Sequence, residues 1–172
     1  MSKEKDDMDL KSLYSKVAKK LIETGSSIAV AESCTGGLIA KLLTDNPGIS
    51  KVFWGGVVAY SNEAKMSLLS VPEKTLEEPG AVSHQIAESM SLGIRYRAGT
   101  DIGLAVTGIA GPDGGTENKP VGLVFVSIAT SDFIDTGSYE LEGDREQVRR
   151  AAASKAASMI LELFQPGPNG NL

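Results

Sequence analysis

The sequence predicts an α/β fold, a single-domain three-layer α/β/α sandwich around a mixed, mostly parallel sheet. Short apolar runs typical of buried strands alternate with segments of helical periodicity over the first two thirds of the chain. Two strand-like segments then follow one another directly, which is typical of an antiparallel pair. The length of 172 residues suffices for one domain with a substantial core but not for two ordinary domains.

The predicted domain covers residues 9–165, between a disordered N-terminus (1–8) and a C-terminal tail (166–172). Asp9 is the predicted N-cap of the first helix, whose apolar residues recur on one face. This helix is expected to end near Thr24, because the glycine that follows is a natural helix stop.

Apolar periodicity and capping residues define the other elements. The strands are predicted at Ile28–Ala31, Val52–Tyr60, Asp101–Thr107, Val121–Ala129 and Ile134–Leu141, and the helices at Leu38–Leu43, from a Ser61 or Asn62 cap to Leu69, after Ser83, and from Asp144 to about Phe164. Pro72 to Gly80 reads as a turn-rich connection, and a glycine pair in the second strand indicates a bulge or a close approach. Asp144 and Gln147 form a capping-box pattern.

The composition narrows the class of protein. A formal net charge of −5 argues against nucleic-acid binding. Cys34 is the only cysteine and His84 the only histidine, which excludes an intrachain disulfide and disfavours a metal site. The charged N-terminus lacks the apolar region of a signal peptide, and no apolar run reaches membrane-spanning length. We therefore expect a cytoplasmic protein.

Ser33 lies on the predicted turn between a strand and a helix. Such a turn exposes a small nucleophile, and the N–H groups of the helix's first turn then face whatever the nucleophile attacks. Gly36 and Gly37 let a ligand approach the backbone closely. A polar N-cap without catalytic function explains the same residues equally well. Cys34 is a rival nucleophile, because a helix N-terminus lowers the pKa of a thiol, although a cysteine there is often simply buried.

A serine hydroxyl needs a base, and Lys65 is the best candidate. It lies near the start of a predicted helix, where the helix dipole and burial both lower the pKa of a lysine, and Ser-Lys pairs are known nucleophile–base pairs. The alternative is an ordinary solvated lysine. Tyr60 precedes this helix, and its phenol either orients Lys65 or a substrate group or packs in the core. His84 is expected at the surface or as a capping residue.

Two further features indicate a site for an anion. Glycines are dense from Thr107 to Gly115, where consecutive backbone N–H groups can form an anion-binding nest, although an ordinary surface loop is the alternative. Arg145, Arg149 and Arg150 cluster in the first turns of the last helix, where the dipole disfavours cations unless an anion or neighbouring acidic residues compensate.

Four segments, in order, resemble the CinA C-terminal domain family, whose PncC-type members are nicotinamide-nucleotide amidases. They are Ala31–Gly37, Tyr60–Lys65, Val106–Pro112 and Lys119–Gly122. The resemblance extends from about Leu10 to Phe164. It implies hydrolysis of the carboxamide of nicotinamide mononucleotide to nicotinate mononucleotide and ammonia, a step of pyridine nucleotide salvage that needs no cofactor and no metal.

The resemblance also implies roles for individual residues. Ser33 matches the nucleophile and Lys65 the base, with Tyr60 as a further catalytic residue. The N–H groups of Cys34, Thr35 and Gly36 are the candidate oxyanion donors. The candidate substrate-binding residues are Gly37, Asn62, Thr107, Gly108, Ile109, Ala110, Gly111 and Arg145. We expect a homo-oligomer that binds a small nucleotide and neither nucleic acid nor membrane. The alternative is a non-catalytic module that binds a phosphorylated nucleotide.

Overall fold

The computed structural model describes residues 2–165, and their side chains from residue 9 onward. Helices and strands alternate along most of this part of the chain. In order they are α1 (Ser2–Thr24), β1 (Ile28–Glu32), α2 (Leu38–Thr44), β2 (Phe53–Val58), α3 (Asn62–Leu69), α4 (Glu73–Glu77), α5 (His84–Ala98), β3 (Ile102–Gly108), β4 (Leu123–Ala129), β5 (Ile134–Glu140) and α6 (Arg145–Glu162).

The five strands form one sheet in the order β2-β1-β3-β4-β5. β1 pairs in parallel with both β2 and β3, whereas β4 is antiparallel to β3 and to β5. Four strands therefore run in one direction and β4 alone runs in the other, which confirms the predicted mixed, mostly parallel sheet.

Helices cover both faces of the sheet, which confirms the predicted three-layer sandwich. On one face, α1, α2 and α6 enclose a core that includes Ile39 and Ile160, and the Tyr14 hydroxyl joins α1 to α6 by donating to the Ala153 carbonyl at 2.9 Å. Small buried alanines on α6 allow this close packing. On the other face, Leu69 of α3 and Ile86 of α5 pack against the sheet.

The first helix begins at Ser2, so the start predicted at Asp9 is wrong. Asp9 lies inside the helix instead of capping it. The preceding residues contain no glycine or proline and include good helix formers, so nothing in their backbone chemistry stops the helix. The predicted connection from Pro72 to Gly80 contains the short helix α4, which Pro72 precedes. The predicted tail, 166–172, lies outside the described residues.

The glycine pair of β2 shows both features that the sequence indicates. The register of β2 against β1 shifts next to Trp54, as a bulge requires. A Cβ at Gly56 would lie 2.9 Å from Val30 Cγ2 and 3.1 Å from Ala40 Cβ. The absent side chain thus lets α2 pack close to β1 and β2.

The adjacent ends of β2, β1 and β3 gather the candidate site residues. Glu32 pairs with Val58 on one side and with Val106 on the other, so the residues that follow these strands emerge at one edge of the sheet. Ligands commonly bind beyond the carboxyl ends of strands in such sheets.

Within residues 2–165, none of the helices combines the length and the hydropathy that crossing a membrane requires.

Candidate active site

Ser33 is held on a tight turn directly after β1. Its N–H donates to the Val106 carbonyl of β3 at 2.9 Å, and its own carbonyl accepts from the Gly36 N–H at 3.1 Å. The side chain is nearly buried and lines a cleft at the edge of the sheet. The turn thus fixes the hydroxyl while leaving it a path to a bound molecule.

Lys65 reaches the Ser33 hydroxyl from α3. Its Nζ lies 3.2 Å from Ser33 Oγ, 3.1 Å from the Ala59 carbonyl and 3.3 Å from the Tyr60 carbonyl. The Ser61 hydroxyl caps α3 by accepting from the Ala64 N–H at 3.0 Å, which places Lys65 in the first turn of the helix. The residue is only 2% exposed.

The surroundings of Lys65 favour its neutral form. Burial lowers the pKa of the ammonium below its ordinary value, whereas a negative charge on Cys34 would raise it. Among residues 9–165, no carboxylate forms a salt bridge with Lys65. A neutral amine has two N–H bonds and one lone pair, so donation to the two carbonyls turns the lone pair toward Ser33.

Cys34 does not have the properties of a nucleophile. Its side chain is buried, and burial, as the largest cause, raises the pKa of the thiol to about 12. The nearby Glu32 charge raises this pKa further, while Lys65 and Arg149 lower it. Because the thiolate is the reactive species, the structure favours Ser33.

The start of α2 does not present free N–H groups to a ligand, contrary to the expectation from sequence. The buried Glu32 carboxylate accepts hydrogen bonds from the N–H groups of Gly37, Ile39 and Ala40 at 3.0, 3.1 and 2.8 Å. The Gly37 N–H is therefore already bonded, and Gly37 is not among the residues that line the cleft. The sequence did not reveal this function of Glu32.

The three candidate oxyanion donors differ in availability. The Gly36 N–H is bonded to the Ser33 carbonyl and is not available to an oxyanion. In the described part of the chain, the N–H groups of Cys34 and Thr35 donate to no other residue. These two groups are the remaining candidates beside Ser33.

The cleft has a volume of about 200 Å³. Its lining comes from five segments of the chain: the Ser33 turn, the start of α3 with the residues before it, the connection before α5, the end of β3 with the loop after it, and the start of α6. The lining residues are Ser33, Cys34, Tyr60, Asn62, Lys65, Ala81, Val82, Thr107, Gly108, Ala110 and Arg145. Ala81 and Val82 were missed, because two small apolar residues in a connecting loop carry no chemical signal in the sequence.

Arg145 bridges two sides of the cleft mouth. Its Nη2 donates to the Tyr60 hydroxyl at 2.9 Å and its Nη1 to the Gly111 carbonyl at 2.7 Å. Orienting Lys65 was one of the functions that the sequence suggested for the Tyr60 phenol, and the structure does not support it. The Tyr60 backbone carbonyl makes the contact with Lys65, and the ring is 58% exposed at the mouth.

The glycine-rich loop places Thr107, Gly108 and Ala110 along the cleft, but several groups of the predicted anion nest are already bonded within the protein. The Ile109 N–H donates to the Leu123 carbonyl at 2.9 Å, so it extends the pairing of β3 with β4 and does not face a ligand. Thr107 lines the cleft, but its hydroxyl donates to the Ala81 carbonyl at 2.8 Å. Gly111 contributes its carbonyl to Arg145 and does not line the cleft.

The other candidate residues lie elsewhere. Arg149 forms a salt bridge with Glu146 at 2.9 Å and also contacts the Ser33 turn. Arg150 lines a wider groove beside α1 and α6. His84 is exposed at the start of α5, 3.6 Å from Glu88. Within the described residues, no group of three or more His, Cys, Asp and Glu side chains is arranged to hold a metal ion.

Comparison with known proteins identifies the family. Residues 10–164 match the family model of the CinA C-terminal domain. A CinA-like protein of Syntrophomonas wolfei is 51% identical over 159 residues, which are 92% of this chain and 38% of that protein. A CinA-like protein of Geotalea uraniireducens is 54% identical over 133 residues, 77% of this chain and 32% of that protein. The chain thus spans about a third of the length of these relatives.

Solved structures agree in fold over nearly the whole domain. The competence/damage inducible protein CihA from Agrobacterium tumefaciens superposes with a TM-score of 0.88 at 39% identity, covering 91% of this chain and 96% of that one. A CinA superfamily protein from Klebsiella pneumoniae gives a TM-score of 0.86 at 37% identity, covering 89% and 96%. The chain belongs to the CinA C-terminal domain family.

Proposed function

We propose that this chain is an amidohydrolase that converts nicotinamide mononucleotide to nicotinate mononucleotide and ammonia through a Ser-Lys acyl-enzyme mechanism. The observation that carries the proposal is the 3.2 Å contact between Lys65 Nζ and Ser33 Oγ at the base of a cleft. Burial lowers the pKa of Lys65, as a lysine that acts as a base requires, and the two backbone carbonyls position its Nζ. The substrate follows from resemblance to the PncC-type members of the family.

The first half of the reaction forms an acyl-enzyme. Neutral Lys65 accepts the Ser33 hydroxyl proton as Oγ attacks the carboxamide carbon. The carbonyl oxygen becomes an oxyanion, which the N–H groups of Cys34 and Thr35 stabilise by roughly 3 kcal/mol for each donor. Lys65 then gives its proton to the departing nitrogen, the C–N bond breaks, and ammonia leaves an ester on Ser33.

The second half reverses the proton transfers. Lys65 takes a proton from water, and the resulting hydroxide attacks the ester carbon. When the tetrahedral intermediate collapses, the bond from Ser33 Oγ to the acyl carbon breaks and Oγ regains its proton from Lys65. Nicotinate mononucleotide leaves with a carboxylate where the carboxamide was.

The size of the cleft supports a binding mode in which only part of the substrate enters it. Its volume of about 200 Å³ is below the roughly 300 Å³ at which typical ligand pockets begin, so it suits the carboxamide-bearing ring better than a whole nucleotide. The ribose and phosphate then extend past the mouth, where the Arg145 guanidinium lies. A guanidinium matches the geometry of a phosphate group.

An ammonia assay with nicotinamide mononucleotide tests the proposal. The wild type is expected to release one ammonia per nicotinate mononucleotide formed, with the nucleotide product followed by chromatography. Ser33→Ala is expected to abolish ammonia release while leaving nucleotide binding by calorimetry nearly unchanged. Cys34→Ala is the matched control on the adjacent residue and is expected to keep activity.

Two results would contradict the proposal. If Cys34→Ala is inactive while Ser33→Ala turns over normally, the nucleophile is wrong. If the wild type binds the nucleotide and releases no ammonia, the chain is instead a non-catalytic module that binds a phosphorylated nucleotide.

A further inference from the structure

Glu32 is a buried carboxylate directly before the proposed nucleophile. It is 1% exposed, and no lysine or arginine forms a salt bridge with it among residues 9–165. Its Oε2 accepts from the Gly37 and Ile39 N–H groups and its Oε1 from Ala40. A buried carboxylate is costly unless hydrogen bonds satisfy it, and here the start of α2 provides them together with the positive end of its dipole.

Arg149 holds the same turn from the opposite side. Its Nη2 donates to the Thr35 carbonyl at 2.7 Å and its Nε to the same oxygen at 3.3 Å. The guanidinium is oriented by Nη1, which donates to Glu146 at 2.9 Å. Arg149 belongs to α6, whose start is fixed by the capping box of Asp144 and Gln147. The turn is thus tied to an element more than one hundred residues away in sequence.

These contacts leave two backbone N–H groups of the turn available to a bound molecule. Of the N–H groups from residue 33 to residue 37, those of Ser33, Gly36 and Gly37 are bonded within the protein. Only those of Cys34 and Thr35 donate to no other described residue. Neither Glu32 nor Arg149 lines the cleft, so neither is placed to contact a substrate there.

We propose that Glu32 and Arg149 are positioning residues that hold the Ser33 turn so that the Cys34 and Thr35 N–H groups face the oxyanion. This inference rests on the proposed function. Glu32 fixes the turn to α2, and Arg149 fixes the Thr35 carbonyl away from the cleft. Preorganised donors of this kind act on the transition state more than on the bound substrate.

Arg149→Gln tests the proposal by its effect on kcat against KM for nicotinamide mononucleotide. We expect kcat to fall about 10- to 100-fold, less than the loss from deleting an oxyanion donor outright, while KM stays within about twofold. The acid limb of the pH profile should not move, because the base is untouched. Arg149→Lys, which keeps one donor for the Thr35 carbonyl, should recover part of the rate.

Glu146→Gln is the matched control, because it removes the charge that pairs with Arg149 but keeps an acceptor oxygen for Nη1 and does not touch the turn. It should remain within about threefold of the wild type, well short of the loss expected at Arg149. Glu32→Gln replaces an acceptor oxygen by an amide donor that faces backbone N–H groups, so it should lower both kcat and the melting temperature. Circular dichroism on every variant identifies any that fails to fold. If Glu32→Gln does not fold, the test rests on Arg149→Gln.

A second measurement separates this inference from the proposed substrate. A fluorophosphonate reacts with an activated serine and places a tetrahedral oxygen where the oxyanion lies. If the wild type is labelled at Ser33 but does not hydrolyse the nucleotide, the substrate is wrong, and slower labelling of Arg149→Gln still supports the positioning role. The positioning role would be overturned if Arg149→Gln were labelled as fast as the wild type, if its kcat were unchanged, or if only its KM were affected. If the wild type is neither labelled nor active, both proposals fail together.

Discussion

Lys65 is a buried amine whose charged form is disfavoured by the loss of contact with water. Two backbone carbonyls and the Ser33 hydroxyl surround its Nζ, and no carboxylate within residues 9–165 compensates its charge by a salt bridge. An amine with a lowered pKa is neutral over a wider range of pH, which gives the proposed base its lone pair.

The pH profile of activity should follow this amine. Because the neutral form of Lys65 is the active one, kcat/KM is expected to rise as the pH passes upward through its lowered pKa and then to level off. Lys65→Arg keeps the charge but cannot lose its proton at these pH values, so it should be inactive throughout. A wild-type profile that falls with rising pH, or an active Lys65→Arg variant, would contradict the assignment.

The same amine should also affect stability. The folded protein binds fewer protons than the unfolded chain between the lowered pKa of Lys65 and its ordinary value of 10.5, so its free energy of unfolding gains from this group as the pH rises through that window. The penalty is fully present below the lowered pKa. Lys65→Met lacks this dependence. Urea titrations at several pH values should therefore show that the free energy of unfolding of the wild type rises relative to that of Lys65→Met as the pH rises. If the free energies of unfolding of the two proteins changed with pH in parallel, the lowered pKa of Lys65 would be contradicted.

Sequence reasoning reached some residues of the site and not others. Ser33 and Lys65 were within reach, because each directly follows a recognisable structural boundary, a strand end and a capped helix start. The positions of Glu32, Arg149 and the Tyr60 phenol depend on side-chain torsions and on which elements meet in space. No local pattern encodes those contacts, so the sequence left the phenol open between Lys65, a substrate group and the core, whereas in the structure it accepts a hydrogen bond from Arg145.

Among the elements, α3 carries Lys65, the proposed base, and packs closely against α5. The two helices cross closely at Gly93, where a Cβ would lie 2.0 Å from the Leu69 carbonyl oxygen at the end of α3. Only a residue without a side chain permits this crossing. The packing of α5 on α3 therefore helps to set the distance from Lys65 to Ser33.

Gly93→Ala should therefore separate the helices. We expect a loss of about 1–3 kcal/mol in the free energy of unfolding, as for other overpacked sites, and a lower kcat because α3 shifts. Chemical denaturation and the ammonia assay measure the two effects. Ser89→Ala, at a partly exposed position of the same helix, is the control and should change stability by no more than about 0.5 kcal/mol. Equal stability of the two variants would show that the crossing tolerates a methyl group.

The boundaries of elements were predictable where a side chain signals them. The capping box of Asp144 and Gln147, the Ser83 cap and the Ser61 cap all stand where the sequence indicates. The start of α1 was missed, because a charged segment without a breaker continues a helix without showing an apolar face. The short α4 was missed because one helical turn has no periodicity to detect.

For the whole molecule, the alternation of segments predicted the layers but not the order of the strands. The alternation of strands and helices allows β1, β2 and β3 to be parallel, but several spatial orders of these strands in the sheet are compatible with it. β1 lies between β2 and β3, so the Ser33 turn emerges between the ends of these two neighbours, and the side chains of β1 pack on both faces of the sheet. The site is therefore a property of the assembled sheet, although its two principal residues can be picked from the chain.

The predicted homo-oligomer remains a prediction at this scale. β2 is an edge strand, and Trp54 and Val58 are exposed on it at 54% and 48%. Unpaired apolar edges favour association. Light scattering coupled to size exclusion should give a mass that is a multiple of 18.0 kDa. A monomeric mass at every concentration tested would contradict the prediction.

Trp54 has one more consequence, because it is the single tryptophan of the chain. Its half-exposed indole makes the protein's own fluorescence a local sensor for the outer strand. Whatever covers that strand dehydrates the ring and moves its emission toward the blue, in unlabelled protein and in real time. The predicted assembly and the proposed hydrolysis can thus be followed in one sample, the first by the emission wavelength and the second by the released ammonia.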